Sequence, residues 1–462
     1  MPSLRRNIVY QFLYELLIVF IPLFTIPYVS RVLGAENIGL FSYTYAVANY
    51  FVLFANLGIK NYGSRTIAMV RNNKEELNRN FSEILSIHII FSIIVIFVYL
   101  VLLFFFVEDN LVIFLIQSIY VFAAVFDINW FFFGIEKFKL TVGRNTLVKI
   151  LSVFLVLVFV KTQTDLWIYA LILALSVFVG QSVVWFALKQ YVSWRRPSWA
   201  NMKQHIRPLF VLFLPILALS LYKYMDKIML GSISSNVQVG FYENAEKIIN
   251  VPMSLIMAFG VVLMPRIANM VTSKDKGEVF KLIDMSMEAV MLLAIAISFG
   301  LAGISFVLAP IFFGYEFEEC GILIMGLAVT VPFMAFANVI RTQYLIPYKE
   351  DKIFVVSLFL GAAVNLIVNI ILIPYMAARG AVIGTIFAEI IVCIYQSYFV
   401  RKKIFIKKYL LNTIPPTNWD SNVCFCFSNR KCNEYKYCYI NTSTSGRYVY
   451  LCCWCVFTYV KK

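Results

Sequence analysis

Three ionisable residues interrupt the otherwise apolar run LYKYMDKIMLG, residues 221–231. Lys223, Asp226 and Lys227 are spaced i, i+3 and i+4, which places them on one face of a helix. An ionised side chain at bilayer depth costs about 3 kcal/mol on insertion scales, so such residues usually face a protein interior or a water-filled path. One interpretation is that Asp226 orients the lysines around a cavity, where the surplus positive charge binds an anion or exchanges with a coupling ion. The alternative is a buried ion pair with one lysine extending towards the interface.

Other acidic residues also lie within apolar runs. Glu15, Asp127 and Glu389 are candidates for carrying a proton or a cation, or for a hydrogen bond to a neighbouring helix. The surroundings of Glu389, TIFAEIIVCI, are uniformly apolar in sequence. The segment ENAEK (243–247) repeats the i, i+3, i+4 spacing near the outer end of its run, where solvation is the simpler explanation.

The helices that hold these residues are membrane spans. The chain has 462 residues, of which 61% are hydrophobic and 14% charged, with a mean hydropathy of +0.80. This composition predicts an all-α polytopic membrane protein of about twelve transmembrane helices. The apolar runs lie at about 8–29, 37–57, 84–107, 111–134, 146–164, 166–188, 208–230, 241–264, 285–312, 320–346, 353–374 and 380–400. Since no small-residue cleavage site follows the first run, we expect an anchor and not a cleaved signal peptide.

Basic residues predict the orientation of these spans. With a cytoplasmic N-terminus, the inner segments hold 28 lysines and arginines and the outer loops hold three, Arg31, Lys161 and Arg379. Such a bias marks the cytoplasmic side. The net charge of +15 is therefore mainly topological, with attraction to anionic lipid as a secondary effect, and nucleic-acid binding is not implied.

Two segments share a pattern of LG, a polar connection, then Ile or Val, Gly, and an aromatic: RVLGAENIGLFSYTYA (31–46) and KIMLGSISSNVQVGFYENA (227–245). They are separated by 197 residues, about six helices. The repeat predicts two six-helix lobes of parallel topology, 1–188 and 208–400. The alternative is that both are simply common loop compositions. Between the lobes, the basic and tryptophan-containing segment 189–207 is expected to lie in the headgroup layer.

The end of the chain differs from the rest. Residues 401–414 form a basic cytoplasmic segment, and residues 415–462 contain seven of the nine cysteines. Their irregular spacing, with CCWC at 452–455, does not match paired zinc-ligand spacing. A one-base shift turns the cysteine and tryptophan codons into codons for Val, Ala and Gly. We therefore interpret 415–462 as a frameshifted version of one or two further helices, for a total of up to 14; a genuine tail is the alternative.

Several classes of active site find no support in the sequence. His88 and His205 are isolated and lack a partner at metal-ligand spacing, so no metal site is predicted. No P-loop motif occurs, and the predicted outer loops are only a few residues long. The sequence therefore favours a transporter over an enzyme.

The segments now described resemble a known family. Residues 7–71, together with DKIMLG (226–231) and VGFYENAEKI (239–248), are similar to bacterial polysaccharide repeat-unit flippases of the Wzx type, within the multidrug/oligosaccharidyl-lipid/polysaccharide exporter superfamily. The resemblance covers roughly residues 4–410. It implies two lobes around a central cavity, alternating access coupled to H⁺ or Na⁺, and an undecaprenyl-pyrophosphate-linked oligosaccharide as substrate for capsule, exopolysaccharide or O-antigen synthesis. The implied location is the bacterial cytoplasmic membrane, with membrane lipids, the polysaccharide polymerase and other export proteins as partners.

Within this interpretation, four basic residues are expected to contact the pyrophosphate: Arg31, Lys223, Lys227 and Arg266. Arg31 follows a segment in which Pro22 and Pro27 are expected to kink or break the first helix. A small-molecule cation antiporter of the same superfamily, a membrane polymerase and a flippase for the peptidoglycan precursor are the alternatives.

Overall fold

The computed structural model describes the backbone of residues 2–272, 276–401, 439–441 and 448–450, and side chains from 23 to 401 except 138–139, 222 and 272–276. Residues 2–400 form one compact helical unit. Its helices are α1 (Pro2–Asn56), α2 (Ile59–Val70), α3 (Lys74–Phe106), α4 (Leu111–Val125), α5 (Asn129–Gly134), α6 (Phe138–Phe159), α7 (Leu166–Leu188), α8 (Trp199–Ile233), α9 (Asn236–Thr272), α10 (Lys276–Phe313), α11 (Cys320–Ala328), α12 (Thr330–Ile340), α13 (Asp351–Met376) and α14 (Ala378–Val400).

The predicted membrane spans are confirmed, with one difference in how they are joined. Within the described residues, eleven stretches are long and apolar enough to cross a membrane. The first two predicted runs are joined in α1, which has non-helical dihedral angles at Gly34 (φ 77°). Pro22 and Pro27 do not break α1; its non-helical dihedral angles are at Gly34, where a glycine adopts positive φ without a Cβ clash. A kink at the prolines stays a prediction.

Consecutive spans run in opposite directions, so their connections alternate between two faces of the unit. We call one the basic face; it contains the connections 57–73, 135–137, 189–198 and 346–350. The other, the distal face, contains Gly34 and the connections 107–110, 160–165, 234–235, 314–319 and 377. The segment 189–207 is only partly a linker, because α8 already begins at Trp199.

We refer to residues up to Leu188 as the N-terminal half and residues from Trp199 as the C-terminal half. In the N-terminal half, Phe81 stacks on Trp130 with ring centroids 5.5 Å apart, and both side chains are buried. Contacts between the halves are made mainly by α1, α2 and α3 with α8, α9 and α10. Large apolar side chains such as Phe104, Phe105 and Phe106 are exposed, as expected for helices in contact with lipid. The division into two lobes stays a prediction.

Residues 401–462 form a separate unit. Its described part is an antiparallel pair of strands, β1 (Tyr439–Asn441) and β2 (Tyr448–Tyr450), with Tyr439 opposite Tyr450. The remaining residues of 402–462, including all seven cysteines of the predicted frameshifted segment, lie outside the described residues.

Candidate functional site

The charges of α8 separate into two environments. Asp226 and Lys227 are adjacent in sequence, and neighbouring residues of an α-helix point about 100° apart because a turn contains 3.6 residues. Asp226 is 4% exposed and Lys227 8% exposed, and each contacts a different set of side chains. The prediction that Asp226 orients the two lysines was wrong, because its side-chain partners lie on α9, α13 and α14.

Asp226 is the centre of a buried polar cluster. Its Oδ2 accepts hydrogen bonds from the Tyr242 hydroxyl at 2.6 Å and the Thr385 hydroxyl at 3.0 Å. Its Oδ1 accepts one from Asn369 Nδ2 at 2.6 Å, and the same amide nitrogen lies 3.2 Å from Asn365 Oδ1. A buried carboxylate with three donors is well satisfied.

One acceptor of this cluster lacks a partner. Asn369 Oδ1 is buried without a hydrogen bond among the described residues. It lies beside Gly384, where a Cβ would come within 2.1 Å of it. The Thr385 hydroxyl also contacts the Ala381 carbonyl oxygen at 3.0 Å. A carboxylate, an amide oxygen, a hydroxyl and a carbonyl are the oxygen donors that hard cations take.

Lys227 is bound by two glutamates of α9. Its Nζ lies 2.5 Å from Glu243 Oε2 and 2.8 Å from Glu246 Oε2, while Lys247 Nζ lies 3.2 Å from Glu243 Oε1. The side chains of Glu243 and Glu246 are only 15% and 25% exposed. The expectation that segment 243–247 is simply solvated was wrong, since these carboxylates turn inwards to Lys227.

Of the two lysines in the apolar part of α8, Lys223 is the one that remains available. It is exposed and has no ion pair among the described side chains, and its Nζ lies 5.3 Å from the centroid of the Tyr224 ring. Lys227 and Lys247 balance the charges of Glu243 and Glu246. Asp226 makes the region neutral overall, but its hydrogen-bond partners are neutral side chains, so the ammonium group of Lys223 has no carboxylate in an ion pair with it among the described side chains.

Tyrosines of the N-terminal half face this charged region. Tyr45 lies close enough to Lys223 and Lys227 to interact electrostatically with both. Its ring packs against Tyr120 at 5.2 Å, and the ring of Tyr50 packs against Tyr224 at 5.8 Å. Tyrosines of the second apolar run therefore lie beside the charged part of α8.

At the distal face, the glycines of the two repeat segments bring the halves into backbone contact. A Cβ on Gly39 would lie 1.6 Å from the carbonyl oxygen of Asn236, and a Cβ on Gly240 would lie 2.1 Å from that of Ala35. No side chain fits either position. The second part of α1 and the start of α9 therefore cross with their main chains in contact.

Polar contacts reinforce this crossing. The Arg31 guanidinium donates to the carbonyl of Ile311 at 2.6 Å, near the C-terminal end of α10, and the backbone N–H of Ala35 donates to Glu316 Oε1 at 2.8 Å. Cations near helix C-termini are favourable because they complement unpaired carbonyls. In this arrangement, Arg31 joins the halves at the distal face.

The structure does not bring the four predicted headgroup-binding residues together. Arg31 lies on α1 at the distal face, and Lys223 and Lys227 lie in the last third of α8. Arg266 is exposed near the C-terminal end of α9. Of the two lysines, only Lys223 is without an ion-pair partner among the described residues. Their roles in binding stay predictions.

The other predicted acidic residues have varied surroundings. Asp127 lies in the break between α4 and α5, where its Oδ1 accepts from the Asn129 amide side chain at 2.7 Å. Glu389 is buried but not in a uniformly apolar environment, since it interacts electrostatically with Arg341. Glu15 lies on the part of α1 whose side chains are outside the described residues.

Residues 4–271 match the family model described as "Polysaccharide biosynthesis protein", which is more than half of the chain. The chain belongs to that family. This confirms the resemblance drawn from residues 7–71 and 226–248.

Two relatives and one solved structure are similar to this chain over most of its length. A putative O-antigen transporter of Shigella dysenteriae is 24% identical over 413 residues, covering 86% of this chain and 100% of the relative. A putative O-antigen transporter of Escherichia coli (strain K12) is 26% identical over 406 residues, covering 86% and 97%. A solved structure, lipid II flippase MurJ in an inward closed conformation, has a TM-score of 0.69 at 15% identity, covering 88% and 90%. The relatives are transporters, which agrees with the prediction that the chain is not an enzyme.

Sequence reasoning missed the neutral partners of Asp226. Asn365 and Asn369 are spaced i, i+4 in the apolar run LGAAVNLIVNIILIP (360–374), which places both on one face of α13. Amide side chains at membrane depth are a recognisable signal, because they hydrogen-bond across helices. Neither residue is charged, so the pattern of ionisable residues does not reveal them.

Proposed function

We propose that this protein is a flippase that moves a diphosphate-linked oligosaccharide, carried on a polyprenyl lipid, across a membrane. The observation that carries the proposal is the unpaired Lys223, which faces the tyrosines of the N-terminal half. An ammonium group is a compact point charge suited to phosphate oxygens. Tyrosine rings and hydroxyls suit the faces and edges of sugars.

The direction of loading follows from the contacts between the halves. Because Gly39 and Gly240 hold the main chains together at the distal face, the substrate enters this arrangement from the basic face. Separation of the glycine contact then opens the cavity towards the distal face. The sugars pass through the hydrated space between the halves while the polyprenyl chain remains in lipid.

The orientation and setting belong to the same proposal. The basic face is cytoplasmic, with the N-terminus on that side of a bacterial cytoplasmic membrane. The repeat units serve capsule, exopolysaccharide or O-antigen synthesis, and the polymerase and other export proteins act on the delivered product.

Replacing Lys223 tests the proposed headgroup contact. We expect Lys223→Met to reduce the outward delivery of lipid-linked repeat units by about tenfold or more, because one charge-assisted contact to phosphate contributes about 1.5–3 kcal/mol. Lys223→Arg is expected to retain most of the activity. The measurement is the amount of repeat unit on each membrane face in cells that lack their own flippase, at equal amounts of membrane-inserted protein. Unimpaired delivery by Lys223→Met would refute the contact.

We further propose that the Asp226 cluster binds the coupling cation. The donor set fits, because rotation of the Asn369 amide by 180° turns its unpartnered oxygen towards the carboxylate. Asp226, Asn369 and Thr385 would hold the ion, with Asn365 and the Ala381 carbonyl beside it. The positive charge of the ion would stabilise the Asp226 carboxylate in place of the hydrogen bonds that this carboxylate accepts here. Na⁺ suits these oxygens, and H⁺ on Asp226 is the other candidate.

Removing the charge of Asp226 tests the coupling. We expect Asp226→Asn to abolish the dependence of transport on a Na⁺ or H⁺ gradient while the protein still inserts, because an amide supplies one oxygen but no charge. Vesicles with imposed gradients of each ion separate the two candidates. Asp165→Asn serves as a control, since the Asp165 carboxylate lies at the surface in the 160–165 connection, where it accepts hydrogen bonds from the backbone N–H groups of Lys161 and Thr162. Equal gradient dependence in Asp226→Asn and in the unchanged protein would contradict the assignment.

A further inference from the structure

A cavity lies at the basic face, between α2, α3 and α8. It has a volume of about 480 Å³ and is distinct from the Lys223 region. The polar and apolar residues lining it are Tyr62, Arg65, Thr66, Met69, Arg79, Asn80, Gln204, His205, Pro208 and Leu212. Two arginines from different helices, Arg65 of α2 and Arg79 of α3, therefore line one space.

A buried hydrogen-bond chain holds the three helices of this cavity together. His205 Nε2 lies 2.9 Å from Glu83 Oε2, and His205 Nδ1 lies 2.6 Å from the Tyr62 hydroxyl. His205 is 2% exposed and Glu83 is 1% exposed. With the proton on Nε2, the imidazole donates to the carboxylate and accepts from the tyrosine, so every group of the chain is satisfied. Because one residue comes from each helix, the chain fixes the positions of the arginines nearby.

The backbone of this region is tied down as well. Gly58 (φ 71°) precedes α2 and lies so close to α8 that a Cβ would be 2.9 Å from the Leu209 carbonyl oxygen. The backbone N–H groups of Ser193 and Arg195 donate to Asn78 Oδ1 and Ser82 Oγ of α3, each at 2.9 Å. The cavity is thus a built feature of the fold.

The lining of the cavity is positively charged, since it contains Arg65 and Arg79 and no acidic residue. Both arginines are exposed and have no ion pair among the described side chains, and the nearby carboxylate of Glu83 is directed to His205. Asn80 and Gln204 add amide donors, while Met69, Pro208 and Leu212 form an apolar edge. Guanidinium groups bind phosphate oxygens in a bidentate manner, and an apolar edge suits the chain attached to a lipid phosphate.

We propose that this cavity binds the phosphate headgroup of a lipid in the leaflet at the basic face. Binding of a membrane phospholipid at this place does not depend on the proposed flippase activity, whereas docking of a carried lipid rests on it. The phosphate belongs either to a polyprenyl diphosphate, in which case the cavity is a first docking site before the Lys223 region, or to an anionic phospholipid of the membrane. Arg65 and Arg79 make the phosphate contacts, and the Tyr62–His205–Glu83 chain positions them.

The test is binding to the purified full-length protein in detergent, measured by native mass spectrometry with farnesyl diphosphate and with phosphatidylglycerol as separate probes. We expect Arg65→Gln/Arg79→Gln to lower affinity for at least one probe by about tenfold or more, since each charge-assisted hydrogen bond contributes on the order of 1.5–3 kcal/mol. The matched control is Arg195→Gln/Arg196→Gln, which removes two charges from the same face outside the cavity and keeps the backbone hydrogen bond of Arg195.

The outcomes separate the sources of the phosphate. If Arg65→Gln/Arg79→Gln loses farnesyl diphosphate binding, and phosphatidylglycerol does not compete for that binding in the unchanged protein, the result supports a site for the carried lipid. If the same variant loses binding, and phosphatidylglycerol competes with farnesyl diphosphate on equal terms in the unchanged protein, the result supports a site for a membrane phospholipid. The proposal is overturned if both double variants lose binding to the same extent, because the effect is then general surface charge, or if neither does. Since binding and not transport is measured, failure here leaves the proposed flippase activity untouched.

Discussion

Gly39→Leu is expected to abolish transport and to leave the distal face open. The Cβ of any residue at position 39 would lie 1.6 Å from a backbone carbonyl oxygen, which cannot move aside as a flexible side chain can. The halves must therefore separate at this crossing, and we expect the same result for Gly240→Leu. Opening should expose Ser30, which is 1% exposed and accepts a hydrogen bond from Asn244 at 3.0 Å across the halves.

Labelling with a membrane-impermeant maleimide measures this opening. Ser30→Cys is introduced into a background whose nine native cysteines are replaced by alanine. We expect slow labelling in the parent and at least tenfold faster labelling with Gly39→Leu. Gly300→Leu is the matched control, because a Cβ at Gly300 meets no atom within 4 Å. If Gly39→Leu labels as slowly as the Gly300 control and still transports, the glycine crossing is not the closure of the distal face.

Lys227→Met is expected to be the most destabilising single substitution among the charged residues of α8 and α9. It leaves two carboxylates, 15% and 25% exposed, facing inwards without their shared cation. Breaking a buried ion pair by removing one partner costs about 3 kcal/mol. Thermal unfolding of the purified protein in detergent measures the loss.

Two further variants give this measurement its control. Lys223→Met makes the same substitution one turn earlier, at a lysine without an ion pair among the described side chains, and we expect little change in stability. The triple variant Lys227→Met/Glu243→Gln/Glu246→Gln removes the unpaired carboxylates and should recover most of the lost stability. Equal melting temperatures of Lys227→Met and Lys223→Met would show that the ion-pair cluster of Lys227, Glu243 and Glu246 does not stabilise the packing of α8 on α9.

The spans and their approximate limits could be predicted from the sequence because burial in lipid leaves a direct mark: long apolar runs bounded by polar connections. The glycines of the repeat could also be found, since Gly39 and Gly240 occupy matching positions in the two segments. The contact between these two glycines could not be predicted, because the sequence around a residue does not specify which helix packs against it.

The partners of the charged residues of α8 could not be predicted for the same reason. The spacing of Lys223, Asp226 and Lys227 marked this part of α8 as polar, but it predicted one shared face, whereas Asp226 pairs with amides and hydroxyls and Lys227 with glutamates. These partners come from α9, α13 and α14, and the choice depends on tertiary packing. Glu389 is a similar case, since its electrostatic partner Arg341 precedes it by about two spans. A search that includes neutral amides at helical spacing would have identified Asn365 and Asn369.

The central claim is that this protein moves a lipid-linked oligosaccharide between leaflets, and reconstituted vesicles test it most directly. The full-length protein is incorporated with a fluorescent oligosaccharide linked by diphosphate to a polyprenyl chain, and an external reductant quenches the fluorophore on the outer leaflet. We predict that an imposed cation gradient raises the quenched fraction from that of the outer leaflet alone towards completion. Quenching that stays at the outer-leaflet value, together with gradient-driven movement of a cationic dye, would contradict the account and favour a small-molecule antiporter.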